Sequence, residues 1–230
     1  MLTAATLSPN MNKLFEKVHR IKNIDKGSFL FEEGNTANEL YIIQSGKFQV
    51  SKMIPDGREL TIRMCSAGEL VGELTLFSPE SQHILNARAS ESGSVAVIQK
   101  DRLEDEIAKD SGLALELVKW LSLQHRKSQT RFRDLVLHGK KGALYSTLIR
   151  LVNSFGVKTE DGMKIDVSLT NQELANFCGT SREVVNRLLS ELRKQEIISI
   201  DKGYITIHAL HRLKREIDCE NCPIEICNIE

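Results

Sequence analysis

No apolar run in this 230-residue chain approaches the roughly 20 residues that a membrane-spanning helix needs. The first residues, Met1 to Pro9, have neither the basic start nor the long apolar stretch of a secretory signal. A cytoplasmic protein with no membrane partner is the expectation. Gly-x-Ser-x-Gly, His-Glu-x-x-His and phosphate-loop motifs are missing, so the chain does not read as an enzyme. Internal repeats and low-complexity segments are missing too. Net charge is also absent, because 31 Lys and Arg meet 31 Asp and Glu. At 27% charged and 41% hydrophobic, the composition is that of a folded chain rather than a disordered one. The length suits one or two domains.

The neutral total conceals three parts. Residues 1–137 hold 18 basic and 18 acidic residues, residues 138–215 hold 13 and 8, and residues 216–230 hold none and five. The middle part is positive enough to suit DNA. Cancelling it is a short acidic tail that also carries three of the five cysteines.

An odd number of cysteines without a secretion signal argues against a disulfide framework. Cys65 and Cys178 stand alone among apolar residues and read as small buried hydrophobes. Cys219, Cys222 and Cys227 are spaced C-x2-C-x4-C. Three thiolates so close in sequence can converge on one inorganic centre, and they are one short of a closed four-cysteine site. A zinc knob, or spare or redox-active thiols, are the alternatives.

From about residue 27 to 100 the texture is β. Glycines 27, 34, 46, 57, 68, 72 and 93 punctuate short apolar runs such as Leu40-Tyr-Ile-Ile, Phe48-Gln-Val and Leu60-Thr-Ile. That pattern predicts a compact barrel or sandwich. From about 101 the period becomes helical, with Leu113, Leu117, Trp120, Leu121, Phe132, Leu135 and Val136 on one stripe and no Pro or Gly between 113 and 138. One long helix is predicted there. Its stripe would be buried in a dimer seam, or else against the helix's own barrel.

After Gly139 and Gly142, apolar Leu144, Leu148, Leu151 and Val152 predict a leading helix. Thr170 with Glu173, and Thr180 with Glu183, are spaced as capping boxes for two further helices separated by Gly179. Ile197 to Ile200, then Asp201-Lys-Gly, then Tyr204 to Ile207 read as a hairpin. The sum is a winged helix-turn-helix. On its second helix, Val184, Leu188, Leu189 and Leu192 are expected to face inward and Arg182, Glu183, Asn186 and Arg187 outward. Arg forks onto guanine and Glu accepts from cytosine, so such a face can read base edges. A merely solvated face is the alternative. Thr180 and Ser181, at the head of the helix, complete the expected DNA-facing set.

Gly27 to Phe77, with the phrase Gly68-Glu-Leu-Val-Gly-Glu-Leu-Thr-Leu-Phe, resembles the effector domain of the CRP/FNR transcription regulators. The long helix and the winged domain follow in that family's order. The resemblance implies an α+β chain: a cyclic-nucleotide-binding-like β-roll over 1–112, a dimerisation helix over 113–138, a winged helix-turn-helix over 139–215 and a tail over 216–230. It implies a homodimer on double-stranded DNA, with RNA polymerase as a further partner. Arg182-Glu183 with Arg187 resembles the triplet that reads TGTGA-like half-sites. The phosphate-holding Arg-Ser pair of the cyclic-AMP-binding members falls on His83 and Ile84, so cyclic AMP is not expected.

The tail resembles the C-terminal motif of the Bacillus-type FNR branch. That implies one [4Fe-4S] cluster per subunit, held by Cys219, Cys222, Cys227 and an aspartate at the end of the long helix. Asp134 is the one acidic residue between Glu116 and Glu160. Pairing of Asp134 with Arg131 or Arg133 is the plainer role. Asp218, His138, His208 and His211 are other candidate ligands. The implied function is oxygen-responsive control of anaerobic genes, active while the cluster is intact. The alternative is a CRP-like regulator with a small-molecule or thiol-redox effector and a zinc-bound or metal-free tail.

Overall fold

The computed structural model describes residues 18–78 and 82–229. The stretch Met1 to Pro9, read above for a targeting signal, lies outside the described residues. Two compact units emerge, one from residues up to Met53 with Ile62–Ser122, the other from Ile54–Thr61 with Leu123–Ile229. Among the described residues, no helix is long and apolar enough to cross a membrane.

The first unit is an antiparallel β-roll. Strands β1 (Arg20–Ile24), β6 (Asn86–Gln99), β3 (Glu39–Met53) and β4 (Glu59–Cys65) lie side by side, β2 (Phe29–Phe31) pairs with β6 and β5 (Leu70–Val71) with β3. The apolar runs predicted as separate strands, Leu40 to Ile43 and Phe48 to Val50, belong to one 15-residue β3. Gly46 lies inside that strand, at shifts of register between Ile43 and Phe48, instead of ending it. A Cβ on Gly46 would come within 2.7 Å of Gly93 Cα, and one on Gly93 within 2.0 Å of the Ser45 carbonyl. Two facing glycines therefore let β3 and β6 cross closely.

Both faces of β3 are covered, which explains its unbroken apolar run. Tyr41 and Ile43 point into the roll with Val95 and Val97. Leu40 and Ile42 point outward with Ala96 and Ile98, under helix α1 (Lys100–Lys109) and the first turns of α2 (Ser111–Phe155). Asp110 opens α2 by accepting from the Gly112 and Leu113 amides at 2.9 and 3.1 Å. The apolar stripe on α2 then divides. Leu113 and Leu117 are buried against the roll, whereas Phe132 and Val136 are 65% and 60% exposed. Burial against the helix's own barrel thus holds for the start of the stripe, while its later part stays exposed.

In the second unit, α2 breaks at Gly139, whose φ of 58° and ψ of −154° leave the helical region. Then come β7 (Gly156–Thr159), β8 (Gly162–Ile165), α3 (Asn171–Cys178), α4 (Arg182–Lys194), β9 (Ile198–Asp201), β10 (Tyr204–Ile207) and α5 (Leu210–Glu216). The four strands form an antiparallel sheet in the order β7-β8-β10-β9. Lys202 and Gly203, both at positive φ, close the β9–β10 hairpin, as a two-residue turn between right-twisted strands requires. Leu144, Leu148, Leu151, Leu174, Leu189 and Leu213 share one core. The architecture is the predicted one, a β-roll, a long helix and a winged helix-turn-helix.

His83 is buried in the roll, its ring stacked on Phe31 with centroids 3.7 Å apart. Burial pushes its pKa down from 6.5 to about 4. Between those values the unfolded chain holds a proton that the folded chain refuses. Stability is therefore complete above pH 6.5 and falls toward pH 4, by up to about 1.4 kcal/mol per pH unit. Replacing His83→Gln should remove that component, so urea midpoints of wild type and variant should diverge as pH drops through the window. Parallel midpoints would refute it.

Candidate nucleic-acid interface and cysteine tail

Helix α3 starts at Thr170, where the predicted capping box forms. The Thr170 hydroxyl accepts from the Glu173 amide at 3.2 Å, and the Glu173 carboxylate accepts from the Thr170 amide at 2.7 Å. Gly179 ends α3 in the left-handed region. The second predicted box does not form, because α4 begins one residue later with Ser181 as its N-cap. Thr180 Oγ1 is buried without a hydrogen-bond partner, while Ser181 is exposed. The Glu183 carboxyl is held below its usual range by its own amide and by the Ser181 hydroxyl, so it is ionised.

The inward face of α4 consists of Val185, Leu188, Leu189 and Leu192. Val184, expected there, is only half-buried, since positions 185, 188, 189 and 192 fill one stripe. Arg182, Glu183, Asn186 and Arg187 are exposed, as expected, along the first two turns. Asn186 accepts from Asn171 Nδ2 at 3.3 Å, a link between the paired helices. At the wing, Lys164 Nζ stands 4.4 Å above the Tyr204 ring, adding a cation that the sequence pattern does not reveal.

Asp134, 3% exposed, lies on α2 before the break. Its Oδ1 accepts from Arg133 Nε and Nη2 at 3.0 and 2.8 Å. Its Oδ2 accepts from Ser146 Oγ at 2.6 Å and Arg150 Nη2 at 3.5 Å. On a straight helix, twelve residues separate Asp134 and Ser146 by about 18 Å. The break at Gly139 removes that distance. Gly142 helps, because a Cβ there would fall 2.1 Å from His138 Cβ. Arg133 is one of the two pairing partners expected for Asp134. The other is Arg150 rather than Arg131, a link that needs the break and so has no signature in local sequence.

The tail returns to this region. Ile217, Ile226 and Ile229 are buried and pin it, and Cys219 and Cys227 pack on the core of the second unit. Its carbonyls are met by side chains: Arg150 Nη1 donates to Ile226 at 2.9 Å, Asn153 Nδ2 to Cys227 at 2.6 Å, and Arg131 Nη2 to Asn228 and Ile229 at 3.0 and 3.1 Å. The Ile229 amide donates to Ser154 Oγ at 3.0 Å. Arg133 pairs with Glu220 as well as with Asp134.

Cys219, Cys222 and Cys227 are free and half-buried. Burial pushes the Cys227 thiol up, Arg150 pulls it down, and Cys219, Cys222 and Asp134 push it up again. Cys227 is thus within electrostatic reach of the other three expected ligands. Among the described residues, however, no three His, Cys, Asp or Glu side chains are arranged to hold a metal ion. Asp134 is occupied with arginines and Ser146 instead. His208 Nδ1 lies 2.7 Å from the Asp161 carbonyl, and neither it nor His138, His211 or Asp218 joins a ligand group. Cys65 and Cys178 are buried as predicted, and burial raises the Cys178 thiol to about 12.

In the first unit, the pocket bounded by Gly72, Glu73, Thr75 and Ile84 has the Phe31–His83 stack in its wall. Glu73 faces Arg63, whose Nη2 reaches it at 3.2 Å and the Leu70 carbonyl at 2.6 Å. No arginine or lysine lines the pocket among the described residues.

Residues 21–110 match the cyclic nucleotide-binding domain, and residues 143–216 the Crp-like helix-turn-helix domain. Over 225 residues the chain is 50% identical to an anaerobic regulatory protein of Bacillus subtilis (strain 168), covering 97% of this chain and 94% of that one. A CRP-like cAMP-activated global transcriptional regulator of Mycobacterium tuberculosis is 28% identical over 190 residues, 83% of this chain and 84% of its own. In fold, the chain is similar to the c-di-GMP responsive regulator CLP of Xanthomonas campestris (TM-score 0.77, 21% identity, 86% of this chain and 98% of that one). It is similar also to a mutant of CooA from Carboxydothermus hydrogenoformans (TM-score 0.78, 20% identity, 94% and 98%). With half its residues shared with one regulator over nearly its whole length, and both domain types in the same order, the chain belongs to the Crp/FNR family of transcription regulators.

Proposed function

We propose that this protein is an oxygen-responsive, cytoplasmic regulator of anaerobic genes that binds TGTGA-like palindromes as a homodimer while a [4Fe-4S] cluster is held by Cys219, Cys222, Cys227 and Asp134. The observation that carries the reading is the docked tail, whose Ile226 carbonyl shares Arg150 with Asp134 and whose three thiols are free. The name of the Bacillus subtilis relative, 50% identical, supports the anaerobic role. The donor set fits the group: three soft thiols, one carboxylate, and two guanidinium groups to offset their charge. Asp134, a hard donor already engaged by Arg133, Arg150 and Ser146, would be the weak member. A bound cluster supplies a redox-labile centre that oxygen dismantles.

The chain's own residues do the rest. Asp134 holds Ser146 and Arg150 across the break at Gly139, so a change in its partners alters the angle between the two halves of α2. Exposed Phe132, Leu135 and Val136 provide an apolar face for a second subunit. Two recognition helices then address half-sites about one helical turn apart, so the angle at the break decides whether both reach the major groove. Arg182, Glu183 and Arg187 read bases, Asn186 stands with them beside Asn171, and Thr180 and Ser181 at the head of α4 complete the DNA-facing set. RNA polymerase is the further partner, and the first unit works without cyclic AMP.

The competing reading is a metal-free or zinc-bound tail, favoured by the saturation of Asp134 with hydrogen bonds. Anaerobic reconstitution followed by DNA binding separates the two. Iron and sulfide should be taken up together, and affinity should fall on exposure to air. Unchanged affinity, or uptake of zinc alone, overturns the cluster reading. For sequence readout, Arg182→Ala is expected to cost about 1–3 kcal/mol at one base pair and to relax preference there. A uniform loss on every DNA sequence would instead make Arg182 a phosphate contact.

A further inference from the structure

Arg150 is 3% exposed, midway along the helix after the break. A guanidinium carries five N–H donors in a rigid plane and stays charged at any physiological pH. Here the donors run in three directions. Nε donates to Ser146 Oγ at 3.1 Å, on its own helix. Nη2 donates to Thr130 Oγ1 at 2.9 Å and to Asp134 Oδ2 at 3.5 Å, on the helix before the break. Nη1 donates to the Ile226 carbonyl at 2.9 Å, one residue before Cys227.

A buried cation is costly without compensation, so this placement needs a reason. One compensating charge is Asp134. The tail supplies only a carbonyl, yet it is also the acidic part of the chain, with five acids and no base over residues 216–230. A carbonyl pinned next to Cys227 fixes where that thiol stands relative to Asp134. Lysine could match the charge but not the three directions.

We infer that Arg150 is the positioning residue of the cysteine tail: one buried guanidinium sets both the docking of the Ile226–Cys227 segment and the placement of the Asp134 carboxylate. Asn153 and Ser154, one turn further on, extend the same tail-holding edge through the Cys227 carbonyl and the Ile229 amide. The purpose of this positioning rests on the cluster reading; the anchoring does not.

Two arms on the full-length chain keep these apart. The first measures hydrogen exchange of metal-free wild type, Arg150→Lys and Arg150→Gln. Losing a charge-assisted bond should speed exchange of tail amides such as those of Cys227 and Ile229 by about tenfold, with α4 amides unchanged. Should Arg150→Gln fail to fold, the pair Asp134→Asn with Arg150→Gln, which leaves no unpaired charge, enters this arm in its place. The second arm loads each folded single variant anaerobically and follows iron, sulfide and the loss of visible absorbance in a fixed oxygen concentration. Arg150→Lys, with the charge but not the fork, is expected to load less and bleach faster than wild type. Wild-type tail exchange in a folded Arg150 variant, or loading and bleaching equal to wild type, overturns the inference. Wild type that takes up no iron and sulfide overturns the cluster reading, while tail exchange still judges the anchoring.

Discussion

The buried pair of Asp134 and Arg150 is the constraint around which the second unit is arranged. A carboxyl group and a guanidinium, each with only a few per cent of its surface exposed, persist away from water only when paired and hydrogen-bonded. Ser146, Thr130 and Arg133 supply the remaining bonds. For those five residues to meet, α2 must break, and Gly139 is where the backbone permits it. For Arg150 to be satisfied, the tail must come back and offer Ile226. One ion pair thereby couples a helix break, the helix that follows it and the end of the chain.

That coupling gives the neutral overall charge a structural meaning. The acidic tail has its own place in the second unit. It is drawn to the arginines near the break, Arg131, Arg133 and Arg150, by carbonyl contacts and by Glu220. Arg182 and Arg187 stay exposed on α4. The helix that carries them is held by a hydrophobic stripe, and its polar face makes local bonds such as the Asn171–Asn186 link and the Ser181–Glu183 hydrogen bond.

The first unit obeys a different economy. Its long strands are buried on both faces, with the roll interior on one side and helices on the other. Where a cyclic nucleotide-binding fold offers a pocket, this chain places an aromatic stack and an internally paired glutamate. His83, where the resemblance would place a phosphate-holding arginine, is buried and stacked on Phe31.

Much of this was legible in residue order. Turn glycines, the 3.6-residue stripe, the Thr170 cap, the Lys202-Gly203 hairpin and the exposed Arg182 face are local, since each depends on neighbours within a few positions. Small errors arose where local signals competed. Thr180 and Ser181 are both good caps, and the hydrophobic register of α4 chose Ser181, carrying Val185 inward in place of Val184. The spacing of the three tail cysteines and the lone acid in the long helix were equally plain. Their mutual arrangement was not. The link from Asp134 to Arg150 spans sixteen residues and depends on the backbone at Gly139; the link from Arg150 to Ile226 spans seventy-six. Residue order determined which groups could do the chemistry. Only tertiary structure decided which cation each buried anion would meet, because the cost of burying charge is settled by whatever the folded chain brings within hydrogen-bond distance.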